Sequence, residues 1–183
     1  MKKYVWPSLK LTLIFIVLCS VLYPLLIAGI AKFSKGGGKG ETLEVNGKVV
    51  GYANIGQKFT EDKYFWSRPS AVDYNAAGSG GSNKGPTNPD YLKTVADRVK
   101  VLRDTGVTGS VPADLVQASA SGLDPHVTPE SALLQVPRVA KARGVSEDML
   151  VKAVAEASEG RQLGFLGEPR VNVLVLNLKL DRL

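Results

Sequence analysis

A chain of 183 residues with 44% hydrophobic side chains has room for one ordinary domain and an anchor, not for two full domains. Six of its 23 basic residues flank a single apolar run: Lys2, Lys3 and Lys10 before it, Lys32, Lys35 and Lys39 after it, with no acidic residue before Glu41. Without those six, residues 41–183 carry 17 basic and 17 acidic side chains, a balance that excludes the basic footprint of a nucleic-acid-binding domain.

The run Leu11–Ala31 contains no charge. As a helix it is about 30 Å long, the thickness of a bilayer's hydrocarbon core. Lysines at both ends can reach the headgroups, and Tyr4, Trp6 and Tyr23 are candidate interface aromatics. Pro24 is placed to kink the helix, while Ala28 and Gly29 would let another helix approach closely. Pro24 and Gly29 are therefore candidate membrane-helix contacts. A cleaved signal peptide is the rival reading, with Gly29-Ile30-Ala31 as a small-x-small site. The apolar run exceeds an ordinary signal core, which favours a retained anchor. Leu18 before Cys19 disfavours a lipoprotein. Three lysines on each side leave orientation nearly balanced, and the N-terminal amine tips it toward N-inside. The lone Cys19 lies in this run, so no disulfide forms within the chain.

Ser34–Gly40 has the composition of a flexible linker. Asn46-Gly47 between two short apolar runs predicts a hairpin with a type I′ turn. Lys63–Ser70 is an aromatic cluster ended by a proline. Tyr64, Phe65 and Trp66 read as packing between segments rather than an exposed patch for sugar or protein. Gly78–Asp90 is loop by composition. A first helix follows the Asn88 cap and Pro89, with Leu92, Val95, Val99 and Leu102 on one face and Gly106 as its stop. A second starts at Thr128-Pro129-Glu130, buries Leu133, Val136 and Ala140, is interrupted at Pro137, where a kink is expected, and ends at Gly144. A third runs from the Ser146 cap through Met149, Leu150, Val154 and Ala157 to Gly160. Alternation over Val171–Leu180 predicts a half-buried strand with Leu174, Leu176, Leu178 and Leu180 on one side. Strands at both ends with helices between them make an α+β domain.

Catalytic chemistry finds little support. Ser121, Asp124 and His126 lie close in the chain, but a triad needs convergence in space and there is no GxSxG elbow. One histidine and one membrane cysteine cannot build a zinc site, and the carboxylates lack calcium-loop spacing. Gly80 and Gly85 have P-loop spacing, but Pro86-Thr87 stands where Lys-Ser/Thr is required. The Asp-Lys-Thr-Gly sequence of P-type ATPases is absent.

Several blocks together resemble a known family. In order they are YPL at Tyr23–Leu25, IGQKF at Ile55–Phe59, YFWSRPSA at Tyr64–Ala71 and SGGSNKGPTNP at Ser79–Pro89. VPADLVQASASGLDPHVTPESALLQVPRVAKARGVS at Val111–Ser146 and VNVLVLNLKLD at Val171–Asp181 follow. The chain resembles the KdpC family, the C subunits of bacterial potassium-transporting Kdp ATPases, over nearly its whole length.

The resemblance implies a non-catalytic pump subunit in the bacterial inner membrane. Its partners would be a P-type ATP-hydrolysing subunit, a channel-like potassium-binding subunit and a very small membrane subunit. It also implies a division into a short cytoplasmic N-terminus (1–10), a transmembrane helix (11–31), a linker (32–43) and an extracytoplasmic α+β domain (44–183). The family is described as a catalytic chaperone that raises the hydrolysing subunit's affinity for ATP through a transient ternary complex, with no tightly bound cofactor. By resemblance, Ser121, Gly122, Asp124, Gln135 and Arg138 are candidates for partner or nucleotide contact. No resident metal is expected. Two other readings stay open: a membrane-tethered binding module for cell-wall sugar, and a secreted hydrolase with a cleaved signal.

Overall fold

A computed structural model describes residues 2–182, except the side chain of Lys2. The N-terminal amine of Met1, invoked above for orientation, lies outside the described residues. The chain divides into two compact units, Met1–Tyr52 and Ala53–Leu183.

The first unit is dominated by one continuous helix, Lys3–Ala31, 29 residues long and apolar enough to cross a membrane. It consists of α1 (Lys2–Val17), a π-helical turn (Leu18–Leu22) and α2 (Tyr23–Ala31). The π-turn has a local cause. Pro24 has no N–H, and its ring crowds the carbonyl one turn earlier. Widening the preceding turn by one residue accommodates the ring, and the Tyr23 N–H bonds to the Leu18 carbonyl instead of the Cys19 carbonyl. Beyond the linker, β1 (Thr42–Val45) and β2 (Lys48–Tyr52) form the expected antiparallel hairpin. Asn46 and Gly47 have φ of 51° and 75°, as a type I′ turn requires.

The second unit holds the packed core. Helix α3 (Pro89–Asp104) starts on the Asn88 side chain, which accepts from the Tyr91 N–H. A short 3-10 turn (Ala113–Leu115) and β3 (His126–Val127) lead to α4 (Pro129–Arg143), capped by Thr128 and closed by Gly144 in the left-handed conformation. Helix α5 (Glu147–Ala157) starts on the Ser146 cap. It stops short of Gly160 because Ser158–Glu159 forms β4, which pairs with β5 (Arg170–Asn172). The small sheet runs β3-β5-β4, with His126 opposite Asn172 and Ser158 opposite Val171. Helix α4 packs on α5, and α5 packs on α6 (Val173–Leu180). Phe65, Val139, Leu150, Val154, Val171, Val173 and Leu176 are the innermost apolar residues.

Three sequence expectations fail here. Residues 173–180 form a helix, not a strand. Asn172 breaks the extended run by accepting from the Val175 N–H as a helix cap. The helix then buries Val173, Leu174, Leu176, Asn177 and Leu180, a helical spacing that an almost uniformly apolar run conceals. Leu92 and Leu133 are exposed rather than buried. In α4 the buried face is turned so that Ser131, Gln135 and Arg138 point inward with the alanines and valines. Finally, Pro137 does not interrupt α4, which is continuous from Pro129 to Arg143. The proline lies on the exposed side next to the exposed Leu133, where the carbonyl it leaves unbonded can be hydrated.

The inward polar residues hold an irregular segment, the turn at Asp62–Lys63 and the stretch through Trp66, that has no partner strand. Asn177 accepts from the Phe65 N–H at 2.8 Å and donates to the Phe65 carbonyl at 2.9 Å. Gln135 does the same for Trp66, accepting at 2.8 Å and donating at 3.3 Å. Arg138 donates to the carbonyls of Asp62 and Tyr64, and Arg143 to that of Lys63. Asn177→Leu leaves the buried amide and carbonyl of Phe65 without partners. It should destabilise the fold by about 3 kcal/mol, measured by denaturant unfolding of the detergent-solubilised chain followed through tryptophan fluorescence.

Candidate functional site

The five candidate contact residues fall in two places. Gln135 and Arg138 belong to the clamp just described. Gln135 is fully buried and Arg138 is 7% exposed. The Arg138 guanidinium lies 3.8 Å from the centroid of the Trp66 ring and also donates to Gln135 Oε1. Burial pulls its pKa down to about 10 against the raising effect of Asp62, so it stays charged at neutral pH. The aromatic cluster is structural, as its composition indicated. Phe65 is fully buried, and the Tyr64 hydroxyl donates to Asp181.

Ser121, Gly122 and Asp124 form a tight turn that ties three other loops together. The Gly56 N–H donates to the Leu123 carbonyl at 2.7 Å. The Gly80 N–H and the Ser79 hydroxyl both donate to the Ser121 carbonyl, and the Ser70 hydroxyl donates to the Gly122 carbonyl. Gly122 is required twice over. Its φ is +68°, and a Cβ there would lie 2.6 Å from Val72 Cγ2 and 2.8 Å from the Gly80 carbonyl oxygen. The Ser121 hydroxyl accepts from the Leu123 N–H within the same turn, so it serves the turn's own geometry. Asp124 accepts from the His126 N–H and from Arg68 Nη1 at 3.0 Å, and its Oδ1 lies 3.4 Å from His126 Nδ1.

Beside this turn lies an open cleft of about 440 Å³, whose walls include Arg68, Asp124, His126, Glu159 and Arg170. Most of its charges are matched: Arg68 with Asp124, and Arg170 with Glu159. Among the described residues, no group of three or more histidines, cysteines or carboxylates could hold a metal. Gln135 and Arg138 are committed to the clamp, and Gly122 has no room above it. The P-loop-like spacing of Gly80 and Gly85 has a structural explanation, since Gly80 anchors the turn through its N–H.

Sequence reasoning missed Arg68, Arg143 and Asn177. The signal for Asn177 was present: an asparagine inside the apolar run VLVLNLKL must find a buried partner. Arg68 and Arg143 carry no such mark, because only the folded chain brings them to Asp124 and to the Lys63 carbonyl.

The family model described as "K+-transporting ATPase, c chain" matches residues 5–182. The chain belongs to the KdpC family. It is 56% identical over 182 residues to the potassium-transporting ATPase KdpC subunit of Geobacter metallireducens, covering 97% of this chain and 96% of that one. The corresponding subunit of Flavobacterium psychrophilum is 53% identical over 188 residues, covering 99% of each. The match takes in nearly all of the N-terminal apolar helix and the clamped domain, and the family places the chain in a potassium-transporting ATPase.

Asp124 gives the turn a pH signature. Burial alone would raise its pKa, but the hydrogen bonds from His126 and the Arg68 charge outweigh that and hold it below the usual carboxylate value. A lowered folded-state pKa adds stability above the unfolded value of about 3.9 and loses it as pH falls through the folded value. Unfolding midpoints measured from pH 7 down to 3 should therefore decline on the acid side for the wild type. The decline should be shallower for Asp124→Asn, which cannot titrate.

Proposed function

We propose that this chain is the non-catalytic subunit of an ATP-driven potassium uptake pump and stabilises the assembly of its ATP-hydrolysing and channel-like subunits. The observation that carries this reading is the family match across residues 5–182. It includes a helix fit to cross a membrane and a domain whose polar side chains largely serve its own fold. The helix Lys3–Ala31 is exposed on every side, and it would pack against the larger subunits with Pro24 and Gly29 as contact points. A Cβ at Gly29 meets nothing within 4 Å, which leaves room for a close helix neighbour.

In this reading the N-terminus is cytoplasmic and the domain of residues 44–183 lies outside the inner membrane. The chain also acts as a catalytic chaperone, raising the hydrolysing subunit's affinity for ATP. The Ser121–Asp124 turn and the adjoining cleft face the partner. Any nucleotide contact is completed by the hydrolysing subunit. A very small membrane subunit completes the complex.

A mild-detergent pull-down from potassium-starved membranes, with a C-terminal tag and mass spectrometry, tests the reading. A P-type ATPase and a channel-like subunit should be recovered in fixed ratio. Recovery of the chain alone, where those subunits are expressed, would overturn it. Gly29→Leu should reduce that recovery several-fold without changing the amount of chain in the membrane. Unchanged recovery would remove this helix face from the interface.

A further inference from the structure

The π-turn takes the regular helical donor away from one carbonyl in the middle of the apolar helix. In a regular α-helix the Cys19 carbonyl would accept from the Tyr23 N–H, but that N–H bonds to the Leu18 carbonyl. In the π pattern the donor to Cys19 would be residue 24, which is proline and has none. Cys19 lies well inside the charge-free stretch between Lys10 and Lys32, where lipid chains offer no donor and water is scarce. An unpaired carbonyl at that depth calls for a donor from outside the helix. The gap opens beside Pro24, where the missing N–H and the widened turn expose the carbonyl.

We infer that the Cys19 carbonyl accepts a hydrogen bond from a hydroxyl or amide side chain on a transmembrane helix of another pump subunit. The inference rests on the pump-subunit reading above and adds the contact's chemistry: one acceptor on this chain, one polar donor on the neighbour. Two features favour a protein helix over lipid. Only a side chain can bring a donor to this depth. The neighbouring residue Ser20 is small and leaves space for one to approach.

The chain has a single cysteine, so carbonyl-labelled ¹³C-cysteine marks this one carbonyl. The labelled full-length chain is studied by infrared spectroscopy, alone in micelles and after assembly with unlabelled partner subunits. The labelled amide band should move to lower frequency on assembly, as a carbonyl does on accepting a hydrogen bond. In Pro24→Ala the restored N–H closes the ladder within the helix. The band should then lie at the lower position already in the isolated chain, and assembly should move it no further. An assembled complex whose labelled band stays at the free position overturns the inference while leaving the pump reading intact. A low-frequency band in the isolated wild-type chain assigns the donor to water or a second copy, and overturns it equally. Failure to form any complex overturns the pump reading, and this inference with it.

Discussion

Just past the turn at Asp62–Lys63, the backbone of Phe65 and Trp66 enters the core with no neighbouring strand, and side chains from α4 and α6 stand in for one. Buried peptide groups must be paired. Asn177 and Gln135 each satisfy both the N–H and the carbonyl of one residue, as a neighbouring strand would. Arg138 and Arg143 close the remaining carbonyls of this stretch. The orientation of both helices follows from this. Helix α4 turns Ser131, Gln135 and Arg138 inward, and α6 must bury an asparagine in the middle of an apolar run.

The clamp carries its order along the chain to the Ser121–Asp124 turn. Arg68, two residues beyond Trp66, pairs with Asp124. The turn gathers the loops around residues 56, 70 and 80 through backbone carbonyls. Loops of this composition would be mobile in isolation. Here one compact hub holds them, and it forms a wall of the cleft. Tyr74 shows the same economy: its hydroxyl donates to the Arg68 carbonyl, and burial raises its pKa to about 12, so it remains a donor at any physiological pH.

The membrane helix obeys the opposite rule. The domain satisfies most of its own polar groups, whereas the helix exposes every face and shifts the Tyr23 N–H to the Leu18 carbonyl at the π-turn. That contrast fits a subunit whose domain is stable by itself and whose span needs neighbours. The near-neutral charge of the domain is consistent with recognition by shape and hydrogen bonding rather than by long-range attraction.

Local signals in the sequence were sufficient wherever the physics was local. The helix caps Asn88, Thr128 and Ser146, the stop at Gly144, the Asn46-Gly47 turn and the long apolar helix were all legible. Each depends on bonds or dihedral angles within a few residues, or on composition alone. The family blocks were legible too, and they carried the potassium-pump assignment further than any single residue could. Tertiary structure decided the rest. Alternation over Val171–Leu180 suits a strand, but the Asn172 cap and the demand of the Phe65 backbone for Asn177 make it a helix. Periodicity would leave Ser131, Gln135 and Arg138 in water, yet an irregular segment from about seventy residues earlier in the chain draws them inward. A hydrophobic pattern records which side chains avoid water, not which buried peptide groups need partners, and that second requirement exists only once distant segments have met.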